Sequence, residues 1–554
     1  MLNFGGSDAG TSAIETHRDA MNQTKAHYAA TTDDVLLNTT IGGVLRTKAQ
    51  EMPETVALVE VHPADTIARR WTYRELLDQS EELATALVSR FRPGERIAVW
   101  APNIPEWVIL EFAAALAGLT LVTVNPAFRL AEASYTLKQS GAVGLFFVDE
   151  FRGNRIGEHV ADLLPSLPLI RETARLTDLA AMTRGADRAR PLPQVRPEDP
   201  AFILYTSGTT GKPKGAILHH CGITNNARMT YIRLSPPAHA RVVSAMPLFH
   251  IGGCMVAVLG SVQAGGTLYL MRLFDPSAMT RLIERDRIEV VSVVPTMVFG
   301  LVEQLAAEPR DVSCVSRILA GGAMVPPELI NRVRAIFGCG IQIIYGQTEC
   351  SGVLTETFVG DSVQDTSETV GKALPGVEIS VRDPRTNVVA NAGEVGEICA
   401  RGKGLMVGYN DNPDATKQTF DDEAWLHTGD LGAMDERGYV RITGRVKEMI
   451  IRGGENLYPA EIENVILTYP DIAEAAVIGV PDLKWGETVA CFVRTTTGRP
   501  IDQEALKAFC RDRLSPQKTP IHWIQVQEWP MTASGKIQKF ILKERLEKEK
   551  PQKP

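Results

Sequence analysis

The sequence has few cysteines, and they are dispersed along the chain. Eight cysteines occur among 554 residues, with no Cys-x-x-Cys pair and no histidine near one at the spacing of a metal site. Disulfide frameworks and zinc sites need closer clustering, so we expect reduced thiols in a cytosolic compartment. The cysteines are Cys221, Cys254, Cys314, Cys339, Cys350, Cys399, Cys491 and Cys510.

Long uninterrupted apolar runs are also absent. The most apolar segment, Trp107 to Val124, contains Glu111 and Gly118, so it favours a buried helix followed by a strand over a membrane span. Residues 1–30 include acidic side chains and no apolar stretch of the kind that a secretory signal needs. We therefore expect no integral membrane segment and a cytoplasmic location, and we leave peripheral membrane association open.

An excess of positive charge is lacking as well. The chain has 58 lysines and arginines against 66 aspartates and glutamates, a net charge of -8. Proteins that bind nucleic acid usually carry a basic patch, so we expect no nucleic-acid partner. Individual lysines can still bind small anions, because the electrostatic potential at one site depends on the charges near it and not on the net charge of the molecule.

What the sequence does contain is an alternation of helix and strand signals. A chain of 554 residues is longer than a single hydrophobic core usually supports, so two or more domains are expected. Thr72 and Glu75 form a capping box that opens a helix with Leu76, Leu83 and Leu87 on one face. Strands with helices between them predict βαβ units and largely parallel sheet. The strand candidates are residues 96–100, 143–148, 202–205, 290–294, 318–320 and 341–345.

The pattern changes towards the end of the chain. From about Glu394, short strands punctuated by glycine (396–401 and 438–443) indicate a β-rich subdomain. After Arg445 the signals predict a smaller unit with helices at 459–467 and 503–514 and strands at 475–479 and 489–494. We expect the charged residues 544–554 to fray.

The most informative segment is residues 205–215, Tyr-Thr-Ser-Gly-Thr-Thr-Gly-Lys-Pro-Lys-Gly, which follows an apolar run. Its glycines allow close backbone approach, and its hydroxyls and lysines can bind phosphate. It differs from the common nucleotide loop Gly-x-x-x-x-Gly-Lys-Ser/Thr, because Thr206 replaces the first glycine and Pro213 follows Lys212. The segment therefore predicts polyphosphate binding and argues against a kinase or motor ATPase.

Further motifs follow this loop in a definite order. They are residues 246–251, 321–323, 345–349, 428–430, 444–447, 452–456 and 534–539. Together with the loop, these motifs resemble the adenylate-forming superfamily of acyl-CoA synthetases, aryl-CoA ligases, luciferases and peptide-synthetase adenylation domains, over nearly the whole chain. The segment 449–456 is especially similar to medium-chain fatty acyl-CoA synthetases.

The resemblance implies an α/β fold with two unequal domains. A large amino-terminal domain, residues 1–444, would comprise doubly wound α/β subdomains and a β-rich subdomain, and would bind ATP and the acyl substrate. Residues 445–447 would be a hinge. A small mobile α+β domain, residues 448–554, would carry the catalytic lysine.

The resemblance also implies how ATP and Mg²⁺ bind. Thr206 and Glu349 would bind Mg²⁺, which prefers a carboxylate or two beside phosphate oxygens. Asp430 would bind the ribose hydroxyls with Arg445 as a further donor, and Tyr345 would supply an aromatic face for adenine. The residues implied to bind ATP are Thr206, Ser207, Gly208, Thr209, Thr210, Gly211, Lys214, Gly322, Ala323, Tyr345, Gly346, Gln347, Thr348, Asp430, Arg445 and Lys536.

Catalysis in the resembling enzymes depends on a mobile lysine. Lys536, on a loop containing Gly535, would hold the α-phosphate and carboxylate oxygens during adenylation only. Lys447 matches the hinge, and rotation there would replace Lys536 with a face that accommodates coenzyme A. That face includes Gly453, Gly454 and Glu455, and the implied catalytic set is Lys536, His250, Glu349 and Thr348.

The acid-binding segment after Pro247 has no carboxylate to pair with a substrate ammonium group, so an apolar acid is favoured. His250 would lie at the pocket entrance. The remaining side chains are aliphatic or sulfur-containing, which suits an alkyl chain better than a phenol. The pocket candidates are Phe249, His250, Ile251, Gly252, Cys254, Met255, Val294, Met297, Gly321 and Val353.

The sequence therefore predicts an acid–thiol ligase that uses ATP, Mg²⁺ and coenzyme A to convert a fatty acid into acyl-CoA. The alternatives are a fatty acyl-AMP ligase that loads a carrier protein, an aryl-CoA ligase and a non-catalytic ATP- or acyl-binding sensor. Lys536 and Glu349 disfavour the sensor, which has no need of a lysine that alternates between domains. Chain length and oligomeric state stay open, a homodimer included.

Overall fold

The computed structural model describes residues 24–31, 36–62, 66–184, 190–206, 213–322, 325–453, 455–482, 484–531 and 537–549. Over these residues the strands form four sheets, which we name A to D. No helix within the described ranges has both the length and the apolar character to cross a membrane.

Sheet A is largely parallel, as the sequence predicts. Its central strands pair in parallel, and an antiparallel hairpin extends one edge. In spatial order its described strands are Gly408–Tyr409, Lys214–His219, Pro200–Thr206, Thr120–Val124, Arg96–Trp100, Gly144–Phe147 and Glu172–Arg175.

Sheet B has a parallel centre with antiparallel strands at both edges. Its described strands, in spatial order, are Lys372–Ala373, Thr355–Glu356, Ile341–Tyr345, Arg317–Gly321, Val290–Val293, Arg241–Ser244, Thr267–Met271, Val56–Val61 and Ile67–Thr72. The predicted strands at 290–294, 318–320 and 341–345 are confirmed.

Helices connect the strands of sheets A and B, which confirms the α/β class. The capping box at Thr72 is present, with the Thr72 hydroxyl accepting from the Glu75 N–H and the Glu75 carboxylate accepting from the Thr72 N–H. The segment Trp107 to Val124 is a buried helix and strand, as predicted. These helices are Ile41–Glu51, Tyr73–Val88, Pro105–Leu116, Leu130–Ser140, Ile156–Leu163, Leu179–Thr183, His220–Leu234, Gly260–Gln263, Pro276–Asp286, Pro295–Ala307, Pro327–Phe337 and Val363–Glu368.

Shorter or wider helical turns lie between these elements. The segment Gly252–Leu259 is a π-helix, a rare form that often occurs at functional sites. The 3₁₀ turns are Leu164–Ser166, Leu176–Asp178, Thr348–Cys350 and Val446–Glu448.

Sheet C confirms the β-rich subdomain. Its described strands pair antiparallel in the order His27–Tyr28, Val377–Arg382, Gly396–Gly402, Leu426–Met434 and Val440–Arg445. The helix Pro413–Thr419 precedes the fourth of these strands.

Sheet D lies between residues 450 and 525. Its described strands are Glu455–Leu457, Ile450–Arg452, Gly486–Thr495 and Ile472–Asp482, with His522–Gln525 paired to Gly486–Thr495. The helices Pro459–Ile466 and Gln503–Arg511 confirm the two predicted there.

The frayed tail predicted from Glu544 is wrong as far as Glu549. The helix Lys539–Glu549 packs the fully buried Leu542 against sheet D. Lys539 Nζ lies 2.9 Å from Glu448 Oε2 and 2.7 Å from Glu463 Oε1. The many charged side chains of this segment predicted a solvated end, whereas the contacts of Lys539 and Leu542 hold the first turns of the helix in place.

Candidate active site

The predicted phosphate loop connects two antiparallel strands. Thr206 ends the strand Pro200–Thr206, Lys214 begins the strand Lys214–His219, and the two residues are partners in the ladder. The sequence analysis predicted only the first of these strands. The loop residues Ser207, Gly208, Thr209, Thr210 and Gly211 lie outside the described residues.

Glu349 lies beside the start of this loop. It is 8% exposed on the turn Thr348–Cys350, which follows the strand Ile341–Tyr345 of sheet B. Thr206 Oγ1 donates to Glu349 Oε1 over 3.5 Å, which joins the ends of sheets A and B. A buried carboxylate beside a hydroxyl fits the ligand set that Mg²⁺ prefers. The structure thus brings together the two residues predicted to bind this ion.

Tyr409, which no sequence motif indicates, belongs to the same cluster. Its hydroxyl donates to Glu349 Oε1 over 2.7 Å, and Lys214 Nζ lies 4.8 Å from the centre of its ring. Burial and the Glu349 carboxylate raise the pKa of Tyr409, so the phenol stays a proton donor. The short strand Gly408–Tyr409 pairs with Lys214–His219, a pairing that no local pattern announces.

Asp430, the predicted ribose ligand, is held by two other predicted residues. The Tyr345 hydroxyl donates to Asp430 Oδ2 over 2.9 Å, and Arg445 Nε donates to Asp430 Oδ1 over 2.9 Å. Burial opposes the charge of Arg445, but Asp430 and Glu448 outweigh it and raise the pKa of Arg445. Each carboxylate oxygen accepts more than one hydrogen bond, so Asp430 can still bind ribose hydroxyls.

Two predicted ATP-binding glycines are needed for different reasons. Gly322 has a φ of +88° and no atom within 4 Å of the place where a Cβ would stand. At Gly346 a Cβ would lie 1.9 Å from the Gly352 carbonyl oxygen. Gly322 can therefore lie against a flat base, whereas Gly346 is required by close backbone packing. Gln347 precedes the buried Thr348, and Ala323 lies outside the described residues.

Part of the predicted acyl pocket forms one wall. A Cβ at Gly352 would lie 1.9 Å from Met255 Cε and 3.4 Å from Ile251 Cγ1, so these side chains meet at Gly352. Buried Asn226, which the sequence analysis missed, donates to the Val353 carbonyl over 2.7 Å and accepts from its N–H over 2.9 Å. Because Met255 belongs to the π-helix and lies at Gly352, the π-helix faces the segment around Val353.

The other pocket candidates differ in their surroundings. His250 is exposed, and its Nδ1 accepts from the Gly252 N–H over 3.2 Å, in keeping with a place at an entrance. Phe249 is half-buried, and its carbonyl accepts from Thr123 Oγ1 over 2.8 Å. Val294 and Met297 are half-buried at the start of the helix Pro295–Ala307, and Gly321 packs against Ile344.

A buried carboxyl group lies behind this wall. Glu111 is 1% exposed, and both its oxygens lack a hydrogen-bond partner among the described residues. Burial raises the pKa of this carboxyl group well above its usual range. Burial, followed by Glu111, raises the pKa of the Cys254 thiol as well. Burial therefore disfavours the charged form of both groups behind the wall.

Only part of the predicted catalytic and hinge set can be placed. Lys447 lies on the turn Val446–Glu448, and burial followed by the charge of Lys447 lowers the pKa of Lys214. The Gly453 N–H donates to the Trp485 carbonyl over 2.7 Å at a φ of +61°. Lys536, Gly454 and the Glu455 side chain lie outside the described residues.

Comparisons with known proteins show which family the chain resembles. The family model described as AMP-binding enzyme matches residues 45–410, and the model described as AMP-binding enzyme C-terminal domain matches residues 461–536. The chain is 35% identical over 539 residues to YngI of Bacillus subtilis (strain 168), a protein provisionally named an acyl-CoA synthetase. This alignment covers 92% of this chain and 97% of YngI.

A second relative and a solved structure are also similar to this chain. The chain is 34% identical over 550 residues to mitochondrial ACSF2 of Rattus norvegicus, which is named a medium-chain acyl-CoA ligase. This alignment covers 93% of this chain and 89% of ACSF2. The crystal structure of ATP-bound MatB from Rhodopseudomonas palustris superposes with a TM-score of 0.82 at 28% identity, covering 92% of this chain and 99% of MatB.

Proposed function

This chain belongs to the AMP-binding enzyme family, in its acyl-CoA synthetase branch, and on that premise we propose that it activates a fatty acid. It is an AMP-forming acid–thiol ligase. One carboxylate oxygen of the acid attacks the α-phosphorus of ATP, and pyrophosphate leaves. The thiol of coenzyme A then attacks the acyl carbon of acyl-AMP, and AMP leaves. The side chains assembled in two clusters, Glu349–Tyr409–Thr206 and Asp430–Tyr345–Arg445, support this proposal most strongly.

The two clusters suit opposite ends of one nucleotide. The first lies at the phosphate loop and offers a carboxylate, hydroxyls and Lys214. The second offers the Asp430 carboxylate to the ribose hydroxyls, with open space at Gly322 for the base. Positioning and charge neutralisation contribute most of the catalysis of phosphoryl and nucleotidyl transfer, so groups fixed in advance are what the reaction needs.

We assign Mg²⁺ to Thr206 and Glu349. When bound there, the ion would neutralise phosphate charge. Tyr409 would orient the carboxylate through the hydrogen bond to Oε1, because groups behind a metal ligand fix its geometry. Lys214, whose pKa is lowered by burial and by Lys447, would bind the phosphates from the loop side.

We further propose that two domains divide the two half-reactions. Residues 1–444 would bind ATP and acid, residues 445–447 would be the hinge, and residues 448–554 would supply Lys536 for adenylation only. Rotation at Lys447 would then present Gly453, Gly454 and Glu455 to coenzyme A. The turn Val446–Glu448 between sheets C and D supports this boundary.

The wall of the acid pocket favours an alkyl chain. Ile251, Cys254 and Met255 are buried, and none of them carries a carboxylate that could pair with a substrate ammonium. An amino acid would leave its ammonium charge without a partner at this wall, which costs more than the roughly 2–7 kcal/mol of an unpaired neutral polar group. The naming of ACSF2 as a medium-chain ligase makes medium-chain acids the first to test.

A substrate panel tests the proposal. Fatty acids of C4 to C18, ring-substituted cinnamates and amino acids are each supplied with ATP and Mg²⁺. Pyrophosphate release is measured without an acceptor, and thioester is measured with coenzyme A or with a phosphopantetheinylated carrier protein. We expect fatty acids to release pyrophosphate and to form acyl-CoA. Turnover of cinnamates alone would favour the aryl-CoA ligase, and thioester on the carrier alone would favour the acyl-AMP ligase.

A further inference from the structure

The predicted ribose segment is a bulge in an antiparallel ladder. In sheet C, Glu397 pairs with Leu431 and Cys399 pairs with His427, so the register shifts between these positions. One residue, Ile398, therefore lies opposite the three residues 428–430. Bulges re-aim side chains and often lie next to active sites.

The bulge leaves backbone groups that the ladder does not pair. Gly429 has a φ of +74°, and its N–H donates to Glu397 Oε1 over 3.0 Å. The Thr428 hydroxyl donates to the Ile398 carbonyl over 2.6 Å and accepts from the Asp430 N–H over 3.1 Å. Glu397 is 8% exposed, so its carboxylate replaces the missing ladder bond where water has little access.

The second oxygen of this carboxylate is engaged as well. His427 Nδ1 donates to Glu397 Oε2 over 2.8 Å, and His427 Nε2 lies 3.7 Å from Asp421 Oδ2. The hydrogen bond to Glu397 is the main cause that raises the pKa of His427. Burial, followed by Glu397, raises the pKa of the Cys399 thiol, whose sulfur lies 3.5 Å from His427 Nδ1.

We propose that Glu397 is a positioning residue for ATP: by binding the Gly429 N–H and His427 together, it fixes the bulge that aims Asp430 at the ribose. The proposal rests on the ribose role assigned to Asp430 in the proposed function. Glu397, Cys399 and His427 also place metal-ligand atoms within 4.8 Å of one another. His427 Nδ1 donates its proton to Glu397, whereas a metal ligand must be a nitrogen without a proton, so the contacts favour positioning over metal binding.

The test measures how well the enzyme distinguishes ATP from 2′-deoxy-ATP and 3′-deoxy-ATP, as the ratio of kcat/KM in pyrophosphate release. Asp430→Asn is the reference for loss of ribose recognition. We expect Glu397→Ala to reduce the ratio by about tenfold, because small displacements of a binding group are costly. Glu397→Gln should reduce it less, since its amide oxygen can still accept from Gly429. The KM for the fatty acid should stay within about twofold.

A matched control comes from the neighbouring strand. Glu378, like Glu397, binds a histidine, at 2.7 Å from His27 Nε2, and it also binds Arg401 Nε at 2.8 Å. Glu378→Ala therefore removes a comparable carboxylate of sheet C, and we expect it to leave the ATP to deoxy-ATP ratio unchanged. Circular dichroism of each variant reports whether sheet C is intact.

The outcomes test the positioning role of Glu397 and the ribose role of Asp430 separately. A Glu397→Ala enzyme with the wild-type ratio, beside an Asp430→Asn enzyme that has lost it, would overturn the positioning role. An Asp430→Asn enzyme with the wild-type ratio would overturn the ribose assignment itself. If Glu397→Ala does not fold, Glu397→Gln decides: a lowered ratio with normal acid KM supports the role, and an unchanged ratio contradicts it. A double variant of Glu397 and Asp430 should lose no more than Asp430→Asn alone.

Discussion

The hydroxyl of Tyr409 donates a 2.7 Å hydrogen bond to Glu349 Oε1, although 60 residues separate the two along the chain. Tyr409 lies on the edge strand of sheet A, whereas Glu349 follows a strand of sheet B. The bond therefore links the two sheets at the place where the phosphates of ATP are expected. The same oxygen lies 3.5 Å from Thr206 Oγ1, at the start of the phosphate loop.

The first prediction concerns Mg²⁺. Glu349→Gln removes the anionic ligand and should raise the Mg²⁺ concentration for half-maximal pyrophosphate release by at least about tenfold, and Tyr409→Phe should raise it less. Tyr439→Phe is the control, since that hydroxyl donates to Asp361 Oδ1 over 2.9 Å in a buried pair, just before the strand Val440–Arg445. A Mg²⁺ titration of Glu349→Gln that matches wild type would remove Glu349 from the metal site.

The second prediction concerns the hinge. Proline at position 447 fixes φ there and disfavours helical geometry at Val446, which lies in the 3₁₀ turn. Lys447→Pro should therefore slow transfer from supplied acyl-AMP to coenzyme A about tenfold or more beyond any loss in acyl-AMP formation. Lys447→Ala removes the charge but keeps φ free, and it should transfer nearly normally. Equal losses in both half-reactions of the proline variant would argue against a hinge.

The third prediction concerns chain length. A Cβ at Gly252 would lie 2.7 Å from Met246 Cε, so a larger side chain must displace the methionine. Gly252→Trp should shorten the preferred acid, because each methylene excluded forfeits about 0.8 kcal/mol of binding. Gly340→Trp adds the same bulk where no atom lies within 4 Å of the Cβ, and it serves as the control. An unchanged chain-length profile in a folded Gly252→Trp enzyme would place the acyl chain elsewhere.

The fourth prediction concerns acid stability. His220 is fully buried, and burial lowers its pKa from 6.5 to about 4. The unfolded chain therefore binds the proton first, so His220 leaves stability intact above pH 6.5 and reduces it as the pH falls towards 4. A gap of about 2.5 pH units, at about 1.36 kcal/mol each, makes the loss about 3 kcal/mol.

Chemical denaturation between pH 7 and pH 4 measures this loss. His220 Nδ1 accepts from the Ile41 N–H over 3.4 Å, and an asparagine oxygen can replace it as acceptor. His220→Asn should therefore show a flatter decline of unfolding free energy with falling pH. His62→Asn alters an exposed histidine and should keep the wild-type slope. A His220→Asn profile parallel to wild type would show that this group does not titrate on unfolding.

Local sequence patterns predict most elements of the fold. The capping box at Thr72 starts its helix, and the apolar run at Arg96–Trp100 is a central strand, because each depends on neighbouring residues alone. Residues that end strands at Thr206 and Tyr345 were also predictable, since strand ends gather ligands in α/β sheets. The helical tail from Lys539 was not, because its stability comes from Glu448 and Glu463 far upstream.

The site itself was predictable only where a motif names its residues. Asp430, Tyr345 and Glu349 follow from their motifs, but the bond from Tyr345 to Asp430 spans 85 residues and has no local signature. Tyr409 and Glu397 were missed for the same reason, since each acts through a partner that only the paired strands bring near. The phosphate loop and Lys536 lie outside the described residues, so their roles stay predictions.

One isotope measurement tests the central proposal most directly. The enzyme is given octanoate labelled with ¹⁸O at both carboxylate oxygens, together with ATP, Mg²⁺ and coenzyme A, and the nucleotide product is analysed by mass spectrometry. If the carboxylate attacks the α-phosphorus, the oxygen that bridges acyl and phosphate groups stays on the departing nucleotide. The account predicts AMP carrying one ¹⁸O, in equal amount to octanoyl-CoA and pyrophosphate. Unlabelled AMP, or ADP with labelled phosphate, would contradict it.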